Sequence, residues 1–183
     1  MKKKLDTTKF YPAYPVFLLT YLNELGEAQM STGSSSYTLG DTLVIGISAE
    51  SNASNYLKPG EKFAVNFPTT KQFDLIEQGG FSSGKRIDKV KEYQIELTKS
   101  ESGALYIDSC PIVFECTVGQ MIRDADYHTV FAKIDTRLME ETLIDTAGNF
   151  VHDELDLVLF SGDAYERKFR KLDIKIEKVG GHL

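Results

Sequence analysis

Two cysteines and three histidines in a chain of 183 residues leave little material for disulfide, thiol or metal chemistry. Cys110 and Cys116 fall in one predicted strand, where the residues between them span about 20 Å at about 3.3 Å each. A disulfide needs Cα atoms within about 7 Å, so the two do not bridge each other. Two thiols do not fill a four-ligand zinc site, and no metal site is expected. Also missing is any apolar run near the roughly 18 residues of a membrane helix. Basic residues are in deficit: 21 Lys and Arg against 27 Asp and Glu give a net charge of −6. That balance disfavours nucleic acid or an anionic membrane as the main partner, while a local basic patch still suits a phosphate. Lys2-Lys3-Lys4 is not followed by an apolar segment and a cleavage site, so no secretory signal is read and the cytoplasm is the expected compartment.

Apolar residues at 42% and charged residues at 26% are an ordinary globular balance, and the length suits a single domain over residues 1–183. Strand patterns dominate. Residues 16–22 are continuously apolar, as in a strand buried on both faces, and residues 43–47 form a second such run. Large apolar residues alternate in Phe63-Ala64-Val65-Asn66-Phe67, and Pro68 stops the run. Ile112, Phe114, Cys116 and Val118 alternate with polar residues, as do His128, Val130, Ala132 and Ile134, and Asp124-Ala125-Asp126 between the runs predicts a hairpin. Helices are predicted to be short: about 52–57 after a Ser51 cap, a second begun at Thr69 or Thr70 and ended by Gly79-Gly80, and a third over about 84–92. The sum is a mainly β barrel or sandwich with a few short helices.

Candidate chemistry is sparse. Ser51 and Ser54 stand at a helix start, where free N–H groups suit a phosphate and where serine equally serves as an ordinary cap. The segment Gly79 to Arg86 has the glycines and Lys85 of a nucleotide P-loop, but Arg86 takes the place of the magnesium-ligating Ser or Thr, so that reading is rejected. Lys85 and Lys89, four apart on the predicted helix, reach either one anion or solvent. His128 shares the apolar face of its strand, which suits a core histidine as well as a catalyst. His152 is placed in a solvated loop and His182 at the chain end. Cys116 beside Glu115 is a buried thiol without activation.

Four stretches taken in order carry a resemblance: Pro15-Val16-Phe17-Leu18-Leu19-Thr20 with Gly26; Phe63-Ala64-Val65-Asn66-Phe67-Pro68; Gly80, Ser83-Gly84 and Asp88-Lys89; and Pro111-Ile112, Glu115-Cys116 and Tyr127-His128. They resemble the flavin reductase-like, FMN-binding split-barrel family, nearest its flavoredoxin-type branch, over about residues 12–170. The resemblance implies a six-stranded Greek-key split β-barrel that dimerises with itself and holds FMN at the dimer interface. By position it sets Ser31, Thr32, Gly33 and Ser34 beside the isoalloxazine. Ser48, Ala49, Ser51 and Ser54 fall at the ribityl phosphate, Lys85 and Lys89 as its cations, and Asn66 as support. His128 takes the catalytic position near flavin and nicotinamide. Where flavoredoxin-like members carry "N-x-x-T-x-x-W", this chain reads Ala28 to Ser34 and has no Trp, and Asp41-Thr42 replaces the usual Pro before the third strand. The implied activity is that of an NAD(P)H-dependent flavin reductase or flavoredoxin-like oxidoreductase, with a redox partner protein as an expected acceptor. A non-enzymatic FMN carrier or electron-transfer protein is the alternative. Hydride transfer between NADH or NADPH and flavin asks the protein for alignment and water exclusion rather than for an acid or base, which agrees with the missing triad.

Overall fold

The computed structural model describes residues 1–151, 155–163 and 165–172; His152 and His182 lie outside them. The described strands are β1 (Phe10–Pro15), β2 (Phe17–Leu22), β3 (Ala28–Gly33), β4 (Ser36–Leu39), β5 (Thr42–Ser48), β6 (Lys62–Phe67), β7 (Thr98–Lys99), β8 (Leu105–Tyr106), β9 (Ile112–Asp124), β10 (Tyr127–Met139), β11 (Val158–Asp163) and β12 (Arg167–Lys171). The helices are α1 (Ala53–Tyr56), α2 (Phe73–Phe81) and α3 (Lys89–Glu92). Among the described residues no helix is long and apolar enough to cross a membrane.

Seven strands form the main sheet, in the order β3-β2-β6-β9-β10-β5-β4, and all of its pairings are antiparallel. Its two edge strands, β3 and β4, are neighbours in the chain, joined only by Ser34 and Ser35. Laid flat, such a sheet is about 29 Å wide at about 4.8 Å per strand spacing. The link from Gly33 to Ser36 reaches at most about 11 Å. The sheet therefore has to curl until its edges approach, and it forms a barrel left open along one seam. The split barrel is as expected, but the count of six strands is corrected: the main sheet has seven, with a three-stranded sheet β1-β11-β12 and the small pair β7-β8 added to it.

Curling gives β2 two buried faces. Phe17, Leu19 and Tyr21 join Ile45, Phe63, Val65, Val130 and Ile134 inside the barrel. Val16 and Leu18 pack outward with Met30, Ile76, Ile107 and Val158, beneath Phe160 and Phe169 of the three-stranded sheet. That double burial is why the segment is apolar without alternation. Its one polar side chain inside the run, Thr20, donates to Leu105 O and accepts from Asn66 Nδ2. The Asp124–Asp126 hairpin joins β9 to β10, with Ala125 in the left-handed region at φ 47°.

The helices depart from expectation. α1 is a single turn, capped in position by Asn52 rather than Ser51, with no side-chain cap bond. α2 passes through Gly79 and Gly80 instead of stopping there. Residues 83–86 make a turn, and Asp88 caps a helix of only four residues, Lys89–Glu92. Lys85 and Lys89 thus share no helix face.

Candidate functional site

The seam and α2 make one wall of a cavity of about 390 Å³, and the three-stranded sheet makes the other. α2 docks on β3 through Thr32, whose Oγ1 donates to Ile76 O at 3.3 Å. A Cβ at Gly79 would stand 2.2 Å from that Oγ1, so only glycine lets the helix sit this close. Lys89, 5% exposed, donates from Nζ to Gly79 O and so satisfies one of the orphan carbonyls at the end of α2. Burial pulls the Lys89 ammonium down to about 8.

Thr32, Gly33 and Ser34 line the first wall together with Ser48 at the end of β5 and Gly80 of α2. Val16 and Ile76 form an apolar floor. Lys9, Tyr11, Phe160, Asp163, Arg167 and Phe169 form the roof. Hydroxyls around an apolar floor suit a flat heterocycle with a polar edge, and the volume falls in the usual range of about 300–1,000 Å³ for ligand pockets.

A second, more polar cleft of about 410 Å³ is lined by Gln29, Asn52, Asn55, Gly84, Lys85 and Arg86, with Glu27 and Asp88 at its acidic side. Residues 48–52 border both spaces, since Ser48 lines the first and Asn52 the second. Lys85 Nζ stands 3.6 Å from Glu50 Oε2 across that segment. Asn52 is fixed by donating from Nδ2 to Gln29 Oε1 at 3.1 Å, and its side chain touches the space beside Gly84.

Of the residues singled out in the sequence, Thr32, Gly33, Ser34 and Ser48 come together at the first cavity. The others go elsewhere. Ser31 points to the other face of β3, where its Oγ is 3.0 Å from the Tyr21 hydroxyl. Ala49 is tied by its N–H to Asp126 O. Ser51 Oγ accepts from Ser54 N and keeps its own O–H to donate, whereas Ser54 is buried with its hydroxyl directed at Ala49 O and Ser51 O. A one-turn helix has almost no macrodipole to add at that start. Asn66 is fully buried, and its amide is spent on Leu18 O, Thr20 Oγ1 and Ile107 N, so it ties the framework together. Lys85 faces Glu50 while Lys89 faces Gly79 O, so the shared-anion reading of the pair is corrected as well.

His128 lies directly opposite Ile47 in the β10–β5 ladder, and residues paired in this way share a face. The imidazole therefore lies with the barrel interior, its buried Nδ1 unpartnered, and His128 is not among the residues lining the cavity. Tyr127, 44% exposed, is the neighbour that shares the face of Ser48. The sequence reading missed Arg86, Asn52 and the whole roof. The available signal for the roof was β12 itself, where Arg167-Lys168-Phe169-Arg170-Lys171 sets an aromatic residue among cations in an otherwise acidic chain.

A family model described as the flavin reductase like domain matches residues 12–154. The protein YdfE of Bacillus subtilis strain 168, itself described as uncharacterized, is 30% identical over 169 residues, which cover 78% of this chain and 81% of YdfE. The crystal structure of flavoredoxin from Methanosarcina acetivorans superposes with a TM-score of 0.86 at 19% identity, covering 99% of this chain and 96% of the other. An FMN-binding protein from Thermus thermophilus with bound 1-cyclohex-2-enone gives a TM-score of 0.79 at 16% identity, with 97% of each chain covered.

Proposed function

The chain belongs to the flavin reductase-like domain family, and on that premise we propose that it is an FMN-binding oxidoreductase that takes its electrons from NADH or NADPH and acts as a homodimer. One observation carries the reading: the hydroxyl-rimmed cavity over an apolar floor meets a cationic turn across the short segment 48–52. The structural neighbours point the same way, since one is an FMN-binding protein and another a flavoredoxin. Bound FMN would supply a carrier for two electrons between reduced nicotinamide and an acceptor.

The residues present fit that cofactor. Thr32, Ser34 and Ser48 would hold the polar edge of the ring system, with Val16 and Ile76 beneath it. Lys85 and Arg86, with the amides of Asn52 and Asn55, would hold the phosphate in the polar cleft. The tight seat of α2 on Thr32 would close the floor beneath the ring. None of these residues is asked to move a proton. For the dimer, the support is an exposed apolar face on neighbouring strands, where Tyr37 is 56%, Leu39 67%, Ile122 45% and Tyr127 44% accessible.

Fluorescence titration tests the reading. FMN should bind at least about tenfold more tightly than riboflavin, and K85Q with R86Q should remove that preference, because a hydrogen bond to a charged group contributes about 1.5–3 kcal/mol. Equal affinity of the unaltered chain for the two flavins would overturn it. NADH and NADPH oxidation by the FMN-loaded protein then separates an enzyme from a carrier.

A further inference from the structure

Tyr21 and Gln29 stand opposite each other in the β2–β3 ladder, and both are buried, Tyr21 at 2% and Gln29 at 7% exposure. Residues paired in this way share a face, so a phenol and an amide sit side by side on the inner face of the sheet. Their polar ends meet at Asn52, the residue before α1. Asn52 Nδ2 donates to Gln29 Oε1 at 3.1 Å, and the Tyr21 hydroxyl is held by the side chains of Asn52 and of Ser31, the latter at 3.0 Å. Gln29 Nε2 donates to Ala28 O at 3.0 Å, which leaves its oxygen as the end turned to Asn52. Burial pushes the Tyr21 phenol up from its ordinary value, so the hydroxyl stays protonated and is able to donate one bond and accept another. The Tyr21 ring is itself stacked on Tyr56, with centroids 6.1 Å apart and an interplanar angle of 27°.

An apolar seal would close this end of the barrel without such a network, since buried polar groups are costly unless each is satisfied. What the network adds is the orientation of one amide. Asn52 lines the polar cleft together with Gly84, Lys85 and Arg86. A Cβ at Gly84 would meet Asn52 Nδ2 at 3.1 Å and Asn52 Cβ at 3.2 Å, so the turn that carries both cations rests on this side chain. The nitrogen end of the amide, which Gln29 selects, is thus also the end nearest Gly84. Within the turn Ser83 O accepts from Arg86 N and Ile87 N, which gives the turn its shape but no fixed place on the barrel. The Lys85–Glu50 pair, with Glu50 87% exposed, adds little to that placement.

We propose that Tyr21 and Gln29 are positioning residues for the cationic turn: they hold the Asn52 amide with its N–H end toward Gly84, and Asn52 seats the turn so that Lys85 and Arg86 close on one phosphate monoester. The proposal rests on the flavin reading for the identity of that phosphate. Tyr21 does not line the cleft, so its influence passes through Asn52. Ser31 takes a place one step further back, as the partner of the Tyr21 hydroxyl.

Fluorescence titration of Y21F, Q29L, N52A and the double variant Y21F/N52A with FMN and with riboflavin tests this. Amide hydrogen exchange of residues 83–86 in the flavin-free chain is measured beside it. Y21F removes one oxygen and keeps the ring. Y21F and Q29L should each weaken FMN about five- to tenfold, the scale of one hydrogen bond, and leave riboflavin within about twofold. Y21F should cost nothing further in the N52A background, and all three single variants should speed exchange at residues 83–86. Parallel loss of FMN and riboflavin overturns the proposal, because the network would then serve the barrel alone. Unchanged FMN affinity in Y21F and Q29L overturns it too, and so does a Y21F effect that adds in full to that of N52A. An unaltered chain that binds the two flavins equally, while Y21F and Q29L still free residues 83–86 as N52A does, keeps the positioning role and overturns the flavin reading instead.

Discussion

Replacing Asn66 separates a framework role from a cofactor role. Its side chain is 0% exposed and makes three hydrogen bonds: Nδ2 donates to Leu18 O at 2.9 Å and to Thr20 Oγ1 at 3.0 Å, and Oδ1 accepts from Ile107 N at 2.7 Å. These bonds tie β6 to β2 and to the segment that follows β8. Asn66→Leu keeps the volume approximately and removes all three. At about 1 kcal/mol net for each bond, with a further 1–3 kcal/mol for leaving the Ile107 N–H buried and unpaired, the cost is about 4–6 kcal/mol. Domains of ordinary stability have about 5–15 kcal/mol in total, so the loss should be plain in a urea melt. Asn66→Asp keeps the acceptor for Ile107 N but sets a carboxylate against Leu18 O, and should be at least as costly at neutral pH. Folded N66L protein, measured well below its melting point, should bind FMN within about threefold of the unaltered chain. Stability within about 1 kcal/mol of the unaltered chain together with a tenfold loss of FMN affinity would refute the argument and return Asn66 to the cofactor.

Three further outcomes are expected. Gly79→Ala forces a carbon into the Thr32 hydroxyl, 2.2 Å away, and should push α2 off β3 and weaken FMN binding at least several-fold; Thr32→Ala in the same chain removes that atom and should restore part of the loss, both read by fluorescence titration. Lys89 titrates near 8 when folded and near 10.5 when unfolded, so between those values the unfolded chain holds the extra proton and this group makes stability rise with pH; denaturant melts from pH 7 to 10.5 should show the rise in the unaltered chain relative to Lys89→Met. His128→Leu removes a buried, unpartnered Nδ1 and should leave melting temperature and FMN affinity equal or higher; slower reduction by NADH at saturating FMN would show that the imidazole reaches the cofactor.

The barrel was legible in the sequence because its strands carry their own evidence. Phe17 to Tyr21 is apolar throughout because both its faces are buried, and β9 and β10 alternate around a polar turn. The strands that went unread lack that evidence. Ala28–Gly33 lies at the seam and is polar in composition, and Arg167–Lys171 is an edge strand whose one apolar residue meets the rest of its sheet only after folding. The helix through Gly79-Gly80 was hidden for a related reason. Local propensity ends a helix at paired glycines, and only the approach of Thr32 and the reach of Lys89 make those glycines useful. The same holds for the site. Glycines and hydroxyls next to each other in the chain were found together, whereas the roof is assembled from residues 9–11 and 160–169 and has no local signature.

The seam fixes an order of events during synthesis. β2–β3 and β4–β5 are local hairpins that emerge early, yet they never pair with each other across Ser34-Ser35. They are joined only through β6, β9 and β10, so the sheet stays in separate pieces until the chain has been made as far as Met139. During that interval the inward faces of Phe17, Leu19, Leu43 and Ile45 have no partner on the missing strands, and a ribosome stalled before β9 holds an apolar chain open to aggregation. β1 waits longer still: it is the first strand made, and its partner β11 comes some 150 residues later, at about 5–20 residues per second. The two walls of the cavity thus come into being at different times, the barrel wall with β10 and the roof only when Lys171 has been added.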